Sequence, residues 1–198
     1  TLNNISLLLI LGGQAQIAHA THIVGGEMIY TCLGNNQYQI TLKVFRDCSS
    51  ILNAAFDNPA SIFVFDGNGN LVQTISVNVP PTDTLPNTTD PCVTIPPGIC
   101  VEEADYTTTI TLAPSVNGYT LVYERCCRNA TVINIFDPGG TGDAFVATIP
   151  DTSIECNNSP YFINFPPPLI CVDKPFTFDH SAIDPDGDSL VYSLCAPV

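Results

Sequence analysis

"YQITLKV", residues 38–44, decides the fold. Tyr38, Ile40, Leu42 and Val44 are apolar, and Gln39, Thr41 and Lys43 between them are polar. A period of two places each set on its own face of an extended chain, so the stretch predicts a half-buried β-strand. "YTTTITL", residues 106–112, alternates in the same way, with Tyr106, Ile110 and Leu112 on one side and Thr107, Thr109 and Thr111 on the other. In "GYTLVYERC", residues 118–126, Leu121 and Tyr123 share a face. β-branched and aromatic residues dominate these runs. Beyond residues 1–20 no stretch carries a convincing helical period.

Turn residues separate the strands. "LGNNQ", residues 33–37, predicts a hairpin between "GGEMIYTC" and "QYQITLKVF". "FDGNGNLV", residues 65–72, predicts another between "SIFVF" and "LVQTISVNV", because Asp, Asn and Gly tolerate the positive φ of such turns. Asp66, Asn68 and Asn70 also resemble half of an EF-hand calcium loop, but Val77 stands where that loop needs a Glu, so the hairpin turn is the better reading. Two proline-rich stretches follow. Residues 80–98 predict a long surface loop, and "FPPPLICVDKP", residues 165–175, predicts an extended strand or linker that opens a new domain. Short strands with frequent turns predict an all-β chain: an immunoglobulin-like β-sandwich over 21–150, a connecting segment over 151–159, and an incomplete second β-sandwich over 160–198.

Residues 1–20 read as a signal peptide. "ISLLLIL" at 5–11 is too short to span a membrane, and Ala18-His19-Ala20 is an acceptable cleavage site before Thr21. With no initiator Met and no basic start, the sequence is expected to be cut at its N-terminal end. No other run reaches membrane length. The chain has 198 residues and a formal charge of −14, from 19 acidic and 5 basic residues. That balance argues against nucleic acid, whose phosphates call for clustered Lys and Arg, and against an anionic membrane surface. With 45% hydrophobic and only 12% charged residues, the chain is nonetheless a folding sequence and not an acidic tail.

Nine cysteines behind a signal peptide predict disulfides in an exported protein. Cys92 and Cys100 bracket "VTIPPGI" and are candidates for a local bridge. Cys126 and Cys127 are adjacent. Neighbouring side chains on a strand point to opposite faces, so each is expected to have its own partner, with Cys32 and Cys48 the natural candidates. Cys156 and Cys171 are placed to clamp the junction between the two domains. Spacing does not fix the connectivity. An odd count leaves Cys195 with its partner expected in later sequence. A metal or redox site is the weaker reading, since no CxxC occurs and His is scarce.

His22 is the second residue after the expected cleavage, whereas an N-terminal copper clasp needs His first. His180 reads as structural. No GxSxG, HExxH or phosphate loop is present, and nothing in the sequence argues for an enzyme. Asn87, Asn129 and Asn157 begin Asn-x-Ser/Thr triplets, which matter only where a glycosylation pathway exists.

"SAIDPDGDSLVYSL", residues 181–194, carries a concentrated charge pattern. Asp184, Asp186 and Asp188 stand at alternate positions, with Pro185 and Gly187 between them. Three carboxylates so close repel unless a cation or water separates them, and calcium takes many oxygen ligands in a flexible shell. The flanking "PFTFDHSAI" and "SLVYSL" read as strands, which puts the motif at a strand corner facing the preceding domain. Asp151 or Glu155 could add oxygens. Calcium is therefore the expected cofactor, against a solvated acidic turn as the plainer reading.

"THIVGGEMIYTCLGNNQYQITLKVFRDC", "LVYERCCRNATVINI" and "CVDKPFTFDHSAIDPDGDSLVYSLCAPV" together resemble the N-terminal region of large secreted surface proteins of gliding-type bacteria. "DPDGDSLVY" is similar more widely to cadherin-like and PKD-like repeats. The resemblance implies a non-enzymatic adhesive or structural protein attached to the cell surface, associated with gliding motility and type IX secretion, with further repeats downstream. It also implies calcium at Asp184, Asp186 and Asp188. Its partner would be an extracellular glycan or protein. The alternatives are a carbohydrate-binding module, although the seven Tyr and ten Phe form no evident platform, or an accessory domain of a secreted hydrolase.

Overall fold

The computed structural model describes residues 23–48, 55–86, 99–129, 132–154, 156–167, 170–171 and 173–194. The expected signal peptide, His22, Asn87, Cys92, Glu155 and Cys195 lie outside them. Each alternating run becomes a strand whose apolar face is buried. β1 (Ile23–Gly34), β2 (Gln37–Asp47), β5 (Asp83–Thr84) and β6 (Val101–Thr111) form one antiparallel sheet in the order β1-β2-β6-β5. β3 (Ala60–Asp66), β4 (Leu71–Val77), β7 (Tyr119–Cys126) and β8 (Gly142–Ile149) form a second, in the order β4-β3-β7-β8. Their apolar faces meet in one core. Ile40, Leu42, Val44 and Tyr106 from the first sheet and Ile62, Val64, Leu121 and Tyr123 from the second are each at most 1% exposed.

The deciding stretch sits mid-sheet. Tyr38, Leu42 and Val44 stand opposite Ile110, Tyr106 and Ala104 in an unbroken β2–β6 ladder. Both predicted hairpins form. Gly34, Asn35 and Asn36 take positive φ between β1 and β2, and Gly69 does so between β3 and β4. Asp66 organises the second turn by accepting from the backbone N–H groups of Asn68 and Asn70, both at 2.9 Å. The aspartate at that turn serves the backbone, in the manner of an Asx turn.

The two sheets meet along the β1 and β8 edges. Gly26 is required there: a Cβ would lie 2.9 Å from the Phe145 ring of β8 and 2.5 Å from the Lys43 carbonyl oxygen. Beyond residue 150 the chain departs from the sequence reading. The strands expected in "PFTFDHSAI" and "SLVYSL" reduce to β10 (Ala182–Ile183), which pairs with β9 (Tyr161–Phe162) through two rungs. Extended backbone needs a partner for its N–H and C=O groups. Among the described residues, residues 189–194 have no ladder. Nor does the proline-rich segment leave the sandwich as a linker. Phe165 packs edge-on to Phe45 on the outer face of the first sheet, with ring centroids 5.2 Å apart. Among the described residues no helix is long and apolar enough to cross a membrane.

Candidate functional site

The acidic corner docks on β1 beside a disulfide. Cys32, near the end of β1, is bridged to Cys156. The next two residues, Asn157 and Asn158, face both the strand and the aspartates. Asn158 accepts from the Cys32 N–H through Oδ1 at 2.8 Å. It donates to Asp186 through its backbone N–H at 2.6 Å and through Nδ2 at 2.8 Å. Asn157 accepts from the Tyr30 hydroxyl at 2.6 Å and turns its Nδ2 toward Asp188 and Asp186, at 3.4 and 3.5 Å. Ser159 completes the seam, its N–H donating to the Tyr30 carbonyl at 3.0 Å and its Oγ accepting from the Tyr30 N–H at 2.8 Å.

Asp184 holds its own loop. Its Oδ1 accepts from the N–H of Asp186 at 2.9 Å and of Asp188 at 3.2 Å, and Gly187 takes φ 83°. The corner is thus a tight turn, as the plainer reading has it, with aspartates that also reach across to the connecting segment. The mutual repulsion expected from the sequence is met here by N–H donors. Among the described residues, three metal-ligating atoms lie within 4.8 Å of one another only at Cys48, Cys100 and Glu102. Those two sulfurs form a disulfide, and Glu102 accepts from Arg46 at 2.6 Å. The oxygens of Asp184, Asp186 and Asp188 are not among such groups. Asp151 is engaged locally, its Oδ1 accepting from the Ser153 N–H at 2.8 Å. Burial first, then neighbouring Tyr38 and the three aspartates, push the Tyr30 hydroxyl pKa well above that of a free tyrosine. It therefore stays a neutral donor to Asn157.

The cysteine pairing corrects the sequence reading at three places. Cys100 bridges to Cys48, not to Cys92; Cys156 bridges to Cys32, not to Cys171; and Cys126 and Cys127 bridge to each other instead of to Cys32 and Cys48. Cys171 is also disulfide-bonded. The alternation argument fails at Cys127 because β7 ends at Cys126, and Cys127 takes φ 131° outside the strand.

A second feature lies under the proline-rich segment. Glu27, Phe45, Phe162, Phe165, Pro166 and His180 line much of a cleft of about 390 Å³. Burial raises the Glu27 pKa, and the nearby Lys43 opposes the rise. His180 is exposed and stacks on Phe162, with ring centroids 4.5 Å apart. Two of the Asn-x-Ser/Thr asparagines are engaged within the fold. Asn129 is 8% exposed and donates to Asp47 at 3.0 Å, and Asn157 belongs to the corner.

Sequence reasoning missed Asn158 and Tyr30 and saw Asn157 only as a glycosylation triplet. The available signal was an Asn pair directly after a cysteine in the connecting segment, since an amide can face a carboxylate and a strand at once. Comparison with protein-family models, curated proteins and solved structures gave no match.

Proposed function

We propose that this chain is a non-enzymatic structural or adhesive segment of an exported surface protein, with a sandwich arranged to pass tension along the chain without unfolding. The observation that carries the reading is the Cys32–Cys156 bridge. It joins the first strand of the sandwich to the segment that leaves it, across a sequence separation of 124. Pull on the two ends, and force enters β1, crosses the sulfur–sulfur bond and leaves through Asn157. Everything between the two cysteines is spared the load. Nested bridging by Cys48–Cys100 and the hydrogen-bonded seam at Tyr30 support the same reading. So does the resemblance to surface proteins of gliding-type bacteria, which carries the finer parts: cell-surface attachment, gliding and downstream repeats.

Single-molecule pulling tests it. The oxidised chain is expected to give no extension from the region between the bridged cysteines. Full reduction is expected to release roughly 400 Å, from a separation of 124 residues at about 3.5 Å each. Equal extension in both states would overturn the reading.

Calcium belongs to the finer part of the proposal. An ion at Asp184, Asp186 and Asp188 would compete with the donors from Asn157 and Asn158 for the oxygens of Asp186 and Asp188. Melting in calcium and in chelator decides it: a rise in Tm with calcium supports the ion, and equal curves remove it while leaving the bridged joint standing. The aromatic cleft favours a second reading, a carbohydrate-binding module. A glycan array with the unaltered chain and Phe165→Ala tests it, and binding lost in the variant is the supporting result.

A further inference from the structure

The adjacent pair Cys126–Cys127 differs from the other described bridges in loop length and in the backbone conformation at one of its cysteines. Its sequence separation is 1, against 52 for Cys48–Cys100 and 124 for Cys32–Cys156. A bridge stabilises mainly by restricting the unfolded chain, and more so for longer loops, so this one contributes least to holding the fold. It also holds Cys127 at φ 131°, a region that L-residues rarely adopt. Opening the bridge frees Cys127 from that constraint.

Access is one-sided. Cys126 is exposed at the end of β7, while Cys127 is 4% exposed. Directly across the ladder from Cys126 stands Gly142, which places no side chain opposite its sulfur. Glu124, Arg125, Thr141, Asp143 and Cys126 line an open cleft of about 450 Å³ at this point. Arg125 precedes the pair and Arg128 follows it. Arg125 donates to the Ala55 carbonyl at 2.6 Å, and Arg128 lies 2.5 Å from Asp143. Both guanidinium groups are thus committed to oxygens, and it is the open approach to Cys126 that favours exchange.

We propose that Cys126–Cys127 is a thiol-exchange site whose co-reactant is a dithiol. One thiolate of the dithiol attacks Sγ of Cys126. The Cys126–Cys127 bond breaks, and its electron pair leaves on Sγ of Cys127, which takes a proton from solvent. The second thiolate of the dithiol then attacks its own bridged sulfur and releases Cys126, which is protonated in turn. Two electrons and two protons have passed to the pair, and the dithiol has become a disulfide. The segment after Cys127 runs back to the start of β1, where the Asn129 N–H donates to the Ile23 carbonyl at 3.2 Å. Reduction thus loosens a contact at the end of the sandwich and leaves the Cys32–Cys156 joint closed.

The test treats the full oxidised chain with graded dithiothreitol under native conditions, traps thiols with a maleimide and maps them by mass spectrometry. Cys126 and Cys127 are expected to label at a dithiothreitol concentration at least ~10-fold below that needed for Cys32, Cys48, Cys100 and Cys156. A parallel arm uses the monothiol glutathione, which forms a mixed disulfide but has no second thiol to release it intramolecularly, and with rapid trapping of the freed thiol the adduct is expected on Cys126. Removing the dithiol and adding its oxidised form is expected to restore the pair with the circular dichroism unchanged. Labelling together with or after the long bridges overturns the proposal, as does an adduct on Cys127. So does finding either cysteine bridged elsewhere in an unreduced digest. The order of reduction and the position of the glutathione adduct do not bear on the pulling experiment, so the two proposals fail separately.

Discussion

Asp57 is where two buried tyrosines end. Tyr106 donates to its carbonyl at 2.8 Å and Tyr123 to its carboxylate at 2.7 Å, which satisfies two hydroxyls that the core would otherwise strand. Burial first, and then the Asp57 charge, push the Tyr106 pKa from 10.0 up to about 12. Burial, followed by the hydrogen bond to Asp57, raises Tyr123 as well. The direction fixes the pH dependence. Between pH 10 and 12 an unfolded Tyr106 has lost its proton while the folded one retains it, so ionisation favours unfolding. Stability from this group is fully present below pH 10 and is lost as pH rises toward 12. Urea midpoints measured across that range are expected to fall, with tyrosinate absorbance appearing together with the loss of circular dichroism. Tyr106→Phe is expected to flatten the fall. Because Tyr161 and Tyr192 are exposed, the signal to follow is the part of the absorbance that Tyr106→Phe removes; its appearance well ahead of unfolding would show that the Tyr106 hydroxyl is not held by the fold.

At the scale of elements, β1 carries both the ladder to β2 and the seam to the connecting segment. Asn158→Ala separates the two. It removes the acceptor for the Cys32 N–H and one donor to Asp186, and leaves the β1–β2 register untouched. Hydrogen exchange at the Cys32 amide is expected to speed up, by roughly 10-fold for a lost bond of about 1–1.5 kcal/mol, while amides paired with β2 keep their protection. Uniform loss of protection along β1 would mean that the seam supports the whole strand. The strands themselves were legible because alternation is local: Leu42, Ile110, Leu121 and Tyr123 are buried on the faces their spacing assigns. The hairpins were legible because Asn and Gly at residues 34–36 and 69 are what positive φ requires. The corner was legible as a turn but not as a dock, since its acceptors meet Asn158 from a segment 28 residues away. The cysteine partners were the least legible. Pairing depends on which strand ends the folded sheets bring together, and a single residue leaving the strand at Cys127 cancels the alternation rule.

For the whole molecule, the order of the bridges along the chain decides what each one does. Cys48–Cys100 lies inside the span closed by Cys32–Cys156. In the chain-entropy account, loops with separations of 124 and 52 contribute about 5 and about 4 kcal/mol when each acts alone. Nested loops share part of that restriction, so the two do not simply add. The adjacent pair closes almost no loop and contributes little by this route. Cys32→Ala with Cys156→Ala is therefore expected to lower the unfolding free energy by several kcal/mol, up to about 5, and to raise the urea m-value, because the unbridged unfolded chain exposes more surface. Cys126→Ala with Cys127→Ala is expected to cost no more than about 1–2 kcal/mol and to leave the m-value unchanged. Equal losses from the two double variants would separate stability from loop length, and would place the value of the outer bridge in directing tension alone.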